Sequence, residues 1–134
     1  MFDPANFLYL AHELKSANSE TKIRTSISRA YYSAFLLSRE WLRNQNWQIF
    51  DDGRDHKNVA RGLRSKIDRA TGYQLGSLYR DNRADADYVL TKTLTPKEAD
   101  DAIQLSVAII NKFQPISLPQ QKPQQQNAIQ KIKK

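Results

Sequence analysis

The 134-residue chain contains no cysteine, which removes disulfides, thiolate nucleophiles and cysteine-ligated zinc or iron–sulfur sites from consideration. Glycine is scarce, four residues in all, and none belongs to a Gly-rich phosphate loop. No sustained apolar–polar alternation bounded by hairpin turns occurs, so a β framework is not expected. No apolar run approaches the roughly 18 residues that span a bilayer. Met1-Phe2-Asp3-Pro4 has neither a basic nor an apolar leader region, and the expectation is a soluble, cytoplasmic protein. Histidine occurs only at positions 12 and 56, without the close spacing of a metal-binding motif, so neither metal nor cofactor is expected. Ser26, Ser28, Ser33 and Ser38 follow helix faces with no nucleophile elbow.

Basic residues are plentiful. Lys plus Arg number 21 against 14 Asp plus Glu, a net charge of +7 and a pI near 9.7. Residues 119–134 contribute four lysines and no acid, together with six glutamines and two prolines. That composition cannot build a core, so residues 115–134 are read as a disordered Pro/Gln/Lys-rich tail and residues 1–114 as one domain. The body retains 17 basic and 14 acidic residues, so its total charge does not by itself indicate nucleic-acid binding.

The body reads as an all-α, up-and-down bundle of about five helices. Asp3-Pro4 opens a first helix to about Ala17, with Phe7, Leu10, Ala11 and Leu14 as its inward stripe. Asn18-Ser19 caps a long second helix over 20–45, whose apolar face runs from Ile23 through Tyr31 to Leu42. Residues 46–54 form a loop, with Trp47, Ile49 and Phe50 tucked inward. Asp55 caps a third helix that ends around Thr71-Gly72. A fourth covers about Tyr73 to Leu90, burying Leu75, Leu78, Tyr79 and Val89, with Gly76 weakening its first turn. Thr95-Pro96-Lys97-Glu98 is a capping box that starts a fifth helix through Phe113.

Two features depart from this amphipathic background. Arg54, Lys57, Arg61 and Arg64 recur at helical spacing opposite the apolar stripe of the third helix. Arginine's planar fork suits bidentate phosphate contacts, although such a strip can also be an ordinary solvated face. In the fourth helix Tyr79-Arg80-Asp81-Asn82-Arg83-Ala84-Asp85-Ala86-Asp87-Tyr88 concentrates arginine, aspartate and tyrosine. Arg83 and Asp87 are i, i+4 neighbours, which fits an intrahelical ion pair or a polar group held toward a cleft. His12 reads as a satisfied structural histidine. His56, beside the basic strip, can cap the helix or touch phosphate.

At these residues the chain resembles the HEPN family of small prokaryotic helical proteins. The similar blocks are Ser28-Arg29-Ala30-Tyr31-Tyr32-Ser33-Ala34-Phe35, Asp55-His56-Lys57-Asn58-Val59, Leu78-Tyr79, Arg83-Ala84-Asp85-Ala86-Asp87-Tyr88 and Thr95-Pro96-Lys97-Glu98-Ala99, in order over about residues 4–113. The resemblance implies a helical bundle, a two-fold homodimer and a basic cleft. Many members are metal-independent ribonucleases carrying Arg-x(4–6)-His, often toxins paired with a nucleotidyltransferase antitoxin. Here the positions where that histidine belongs are Asp85, Ala86 and Asp87 counted from Arg80, and Tyr88, Val89 and Leu90 counted from Arg83. The chain is therefore similar to the subgroup with Arg-x-x-Ala-Asp-Tyr, for which nucleotide or RNA binding beside a nucleotidyltransferase is implied. The expected ligand-binding residues are Arg80, Arg83, Tyr88, Tyr32, Arg29, Arg61, Arg64 and Lys57, with Asp87 orienting Arg83. A ribonuclease toxin using Arg83, Asp87 and His56 as catalytic residues is the alternative, and a non-catalytic protein–protein adaptor a second one.

Overall fold

The computed structural model describes residues 1–119. These form α1 (Ala5–Leu14), α2 (Glu20–Asn44), α3 (Asp55–Lys66), α4 (Arg69–Ser77), a π-helical turn (Leu78–Arg83), α5 (Ala84–Tyr88) and α6 (Pro96–Ile110). The π turn joins α4 to α5 with helical backbone at both junctions, so the molecule is an all-α bundle of five rods, the fourth composite. Among the described residues no strand occurs, and no helix is long and apolar enough to cross a membrane.

The central rod is α2, which touches every other helical element. Ser19 caps it, accepting the Lys22 backbone N–H on its hydroxyl at 3.4 Å. Its buried surface mixes Ile23, Ile27, Tyr31, Phe35 and Leu42 with small residues such as Ala30, Ser33 and Ala34. Small side chains let neighbouring helices approach closely enough for hydroxyls to reach backbone. The Ser26 hydroxyl donates to the Ala11 carbonyl of α1 at 2.7 Å, and the Ser106 hydroxyl of α6 donates to the Ala30 carbonyl at 2.8 Å.

Several boundaries differ from the sequence reading. α1 stops at Leu14 and buries Ala5, Leu8 and Ala11, whereas Leu10 is exposed; the inward stripe is rotated about the helix axis so that Leu8 takes the place expected for Leu10. Asp55 does not cap α3. It is buried, and its carboxylate accepts the backbone N–H groups of Phe50 (3.1 Å) and Asp51 (2.7 Å), tying down the preceding loop. α3 ends at Lys66 rather than near Gly72, because Asp68 caps a new helix by accepting the Thr71 N–H at 2.7 Å. The capping box at Thr95 forms as expected, the Glu98 carboxylate accepting the Thr95 N–H at 2.7 Å. α6 ends at Ile110, and Phe113 beyond it stacks on Trp41 with ring centroids 5.4 Å apart. Ile116 and Leu118 pack against the core, so the folded body extends past residue 114. The remainder of the predicted tail, 120–134, lies outside the described residues.

Candidate functional site

The third and fourth rods diverge from a close approach to leave a cleft. Gly72 lies so close to α3 that a Cβ there would meet the Ala60 carbonyl oxygen at 2.6 Å. The cleft has a volume of about 220 Å³ and is lined by His56, Lys57, Ala60, Arg61 and Arg64 of α3, with Gly72, Tyr73, Gly76, Tyr79 and Arg80 opposite. Among the described residues four cations therefore face one hollow, and no carboxylate lines it. Among the described residues Lys57, Arg61, Arg64 and Arg80 make no salt bridge. Unpaired like charges held together repel one another and favour an anionic ligand.

Helical spacing explains most of this wall. Lys57, Arg61 and Arg64 fall on one face of α3, while Val59 and Leu63 face the core. Arg54, the fourth member of the predicted strip, is absent from the cleft: its guanidinium pairs with Asp52 at 2.8 Å and stacks over Phe50 at 4.1 Å. Gly76 leaves room for Arg80, whose Nη1 is 2.9 Å from where a Cβ would lie.

Arg83 takes a different place from Arg80. The π turn carries it inward, where it is buried and stacks over Tyr79 at 4.3 Å and Tyr88 at 5.3 Å. Its Nε donates to the Tyr79 carbonyl at 3.3 Å, and Asp87 lies 3.5 Å from Nη1. Arg80 and Arg83 thus do not hold one anion side by side. Arg80 lines the cleft, and Arg83 supplies positive charge from behind the Tyr79 ring. Tyr88 is largely exposed outside the cleft. Arg29 lies over Phe7 and Tyr32 and borders a separate polar groove that includes Asp87. Of the predicted ligand-binding residues, the fold gathers Lys57, Arg61, Arg64 and Arg80 with His56, and leaves Arg29, Tyr32, Arg83 and Tyr88 outside the lining.

His56 sits among aromatic rings. It stacks on Tyr79 (4.4 Å) and Phe35 (4.6 Å), meets Tyr32 edge-on, and its Nδ1 is 2.6 Å from the Tyr31 hydroxyl. Burial holds its pKa below the usual imidazole range, the positive charge of Arg83 lowers it further, and Asp55 acts the other way. The Tyr31 hydroxyl is fully buried, and desolvation, followed by neighbouring Tyr79 and Tyr32, pushes its pKa far up, so it keeps its proton. His12 does not line the cleft, and its Nδ1 is buried with no hydrogen-bond partner among the described residues.

The sequence reading missed Tyr31, Phe35 and Tyr73 as parts of this environment. Tyr73 was legible in principle: with Gly72 and Gly76 it marks a helix face of one ring between two gaps. No family model, curated protein or solved structure matches the chain.

Proposed function

We propose that the cleft between α3 and α4 binds the phosphate of a nucleotide or of RNA. One observation carries this reading: Lys57, Arg61, Arg64 and Arg80 converge on a hollow that no carboxylate lines among the described residues. The aromatic walls add the second half of nucleotide chemistry, because Tyr73 is exposed at the cleft and offers a ring face on which a base can stack. The similarity of the Arg-Ala-Tyr-Tyr and Arg-x-x-Ala-Asp-Tyr blocks to HEPN proteins extends the proposal. On that ground the protein works as a homodimer with a nucleotidyltransferase partner, in a toxin–antitoxin or related defence module.

The test is a binding titration of single-stranded RNA and of ADP over a range of salt. Replacing both Arg61 and Arg64 by alanine should weaken binding at least tenfold, at roughly 1–3 kcal/mol per charged hydrogen bond. It should also reduce the dependence of log K on log salt by about 1.4 for RNA, some 0.7 for each phosphate left without its arginine. An unchanged affinity and slope would discard the cleft as the site.

A metal-independent ribonuclease is the second reading, favoured by the presence of His56 and Arg80 in one cleft with Arg83 close behind. It requires RNA cleavage that persists in EDTA and disappears in His56→Ala. Binding without such cleavage leaves only the first reading.

A further inference from the structure

The hydrogen bond between Tyr31 and His56 determines which imidazole nitrogen can face a ligand. The Tyr31 hydroxyl is fully buried beneath Tyr32, Phe35 and Tyr79, and His56 Nδ1 at 2.6 Å is its one hydrogen-bond partner among the described residues. A buried hydroxyl proton needs an acceptor, since leaving it unpaired costs more than a typical hydrogen bond contributes. Were Nδ1 protonated and donating to Tyr31, the tyrosine proton would be left pointing into aromatic rings. The hydroxyl is therefore the donor and Nδ1 the acceptor, and neutral His56 carries its proton on Nε2.

The other edge of the ring meets the cleft. His56 lines it beside Lys57 and Arg61, and Nε2 is neither hydrogen-bonded nor enclosed among the described residues. A neutral imidazole with Nε2–H offers a donor and no lone pair in that direction. Burial first, and then the charge of Arg83, oppose gaining a second proton.

We propose that Tyr31 is a positioning residue that locks His56 as the Nε2–H tautomer, making the imidazole a hydrogen-bond donor to a bound phosphate oxygen and not a proton-abstracting base. This rests on the phosphate-binding reading of the cleft and sharpens it: the same histidine that makes hydrolysis conceivable is presented with its basic nitrogen turned away. Tyr31 thereby sets the specificity of the site for an acceptor, an anionic oxygen, over a ligand hydroxyl whose proton must be taken.

The experiment is two-bond ¹H–¹⁵N NMR of the histidine rings in the full chain at neutral pH, with His12→Gln assigning the two spin systems. His56 should show a protonated, pyrrole-type Nε2 and an unprotonated, pyridine-type Nδ1. Adding inorganic phosphate or ADP should perturb Nε2–H and leave the tautomer unchanged. Tyr31→Phe keeps the ring and removes the donor, so its spectrum should show a mixture of tautomers, and ADP affinity should fall several-fold. Circular dichroism checks that this variant stays folded; if it does not, the wild-type spectrum alone decides. A protonated Nδ1 in the wild type, or an unchanged Nε2–H tautomer in a folded Tyr31→Phe, overturns the inference while phosphate binding can still stand. Absence of any phosphate or ADP binding in the wild type overturns the donor role together with the cleft reading, so the two failures are distinct.

Discussion

His56 is the one side chain lining the cleft whose ordinary titration lies near neutral pH, and its surroundings oppose its charged form. Tyr31, Tyr32, Phe35 and Tyr79 remove water from it, Arg83 sits behind Tyr79, Lys57 and Arg61 share its helix, and Asp55 alone among the nearby charges favours imidazolium. A folded-state pKa lowered below 6.5 means that the unfolded chain takes up this proton first as pH falls. The contribution to stability is therefore fully present above about pH 6.5 and declines on acidification from there toward the folded pKa. Urea unfolding at pH 7.5 and 5.5 checks this. The wild type should lose more stability over that interval than His56→Gln, which lacks the imidazole. Equal losses would mean that His56 is as easily charged in the fold as out of it. At this scale the sequence was partly readable. Lys57, Arg61 and Arg64 could be placed on one face because a helix has a fixed period. Tyr31 could not be matched to His56, because 25 residues separate them and their meeting depends on how α2 and α3 cross.

Two glycines of α4 show how an element creates a site by omission. Gly72 and Gly76 are one turn apart, and each leaves space that a methyl group would fill, but against different neighbours. At Gly72 the nearest atom is the Ala60 carbonyl, backbone of α3 that cannot step aside. Gly72→Ala should push the two rods apart and cost about 1–3 kcal/mol, as small-to-large changes in packed regions do, lowering the thermal midpoint. At Gly76 the nearest atoms belong to the far end of the flexible Arg80 side chain. Gly76→Ala should leave the fold intact or raise its midpoint, since alanine is favoured over glycine in a helix by about 1 kcal/mol, while displacing the Arg80 guanidinium and weakening ADP binding. Thermal unfolding and a binding titration on both variants separate the two effects. ADP affinity unchanged in Gly76→Ala would mean that Arg80 takes no part in holding the ligand. Element boundaries were less readable than element faces. Ile67-Asp68-Arg69 contains neither glycine nor proline, so the junction between α3 and α4 offered only the capping aspartate as a signal. The π turn offered none: nothing in the residues of Leu78–Arg83 distinguishes it from an ordinary helical turn, yet the extra residue there carries Arg83 inward and leaves Arg80 at the cleft.

For the whole molecule the question is how its positive charge is divided. Residues 120–134 hold four of the 21 basic residues and no acid, while the described body gathers Lys57, Arg61, Arg64 and Arg80 in one hollow. Charge strung along a polar sequence and charge fixed in a cleft act on different ligands. A polybasic stretch attracts a polymer of phosphates at many points, whereas a cleft of about 220 Å³ engages one or two phosphates with defined donors. The composition alone showed the excess, and only the pattern along α3 separated the localised portion from the rest. Truncation after Pro119 retains Ile116 and Leu118, which pack on the core, and removes the four lysines. The shortened protein should bind ADP with the affinity of the full chain, because it keeps Lys57, Arg61, Arg64 and Arg80, the cations that line the cleft among the described residues. Its binding to single-stranded RNA should lose salt dependence by up to about 3 in log–log slope, some 0.7 for each lysine that meets a phosphate. The Arg61→Ala/Arg64→Ala double variant should do the converse, losing ADP while keeping a weak, strongly salt-dependent RNA interaction. If truncation instead abolished ADP binding, the terminal lysines would have to reach the nucleotide, and the cleft between α3 and α4 would be only part of the site.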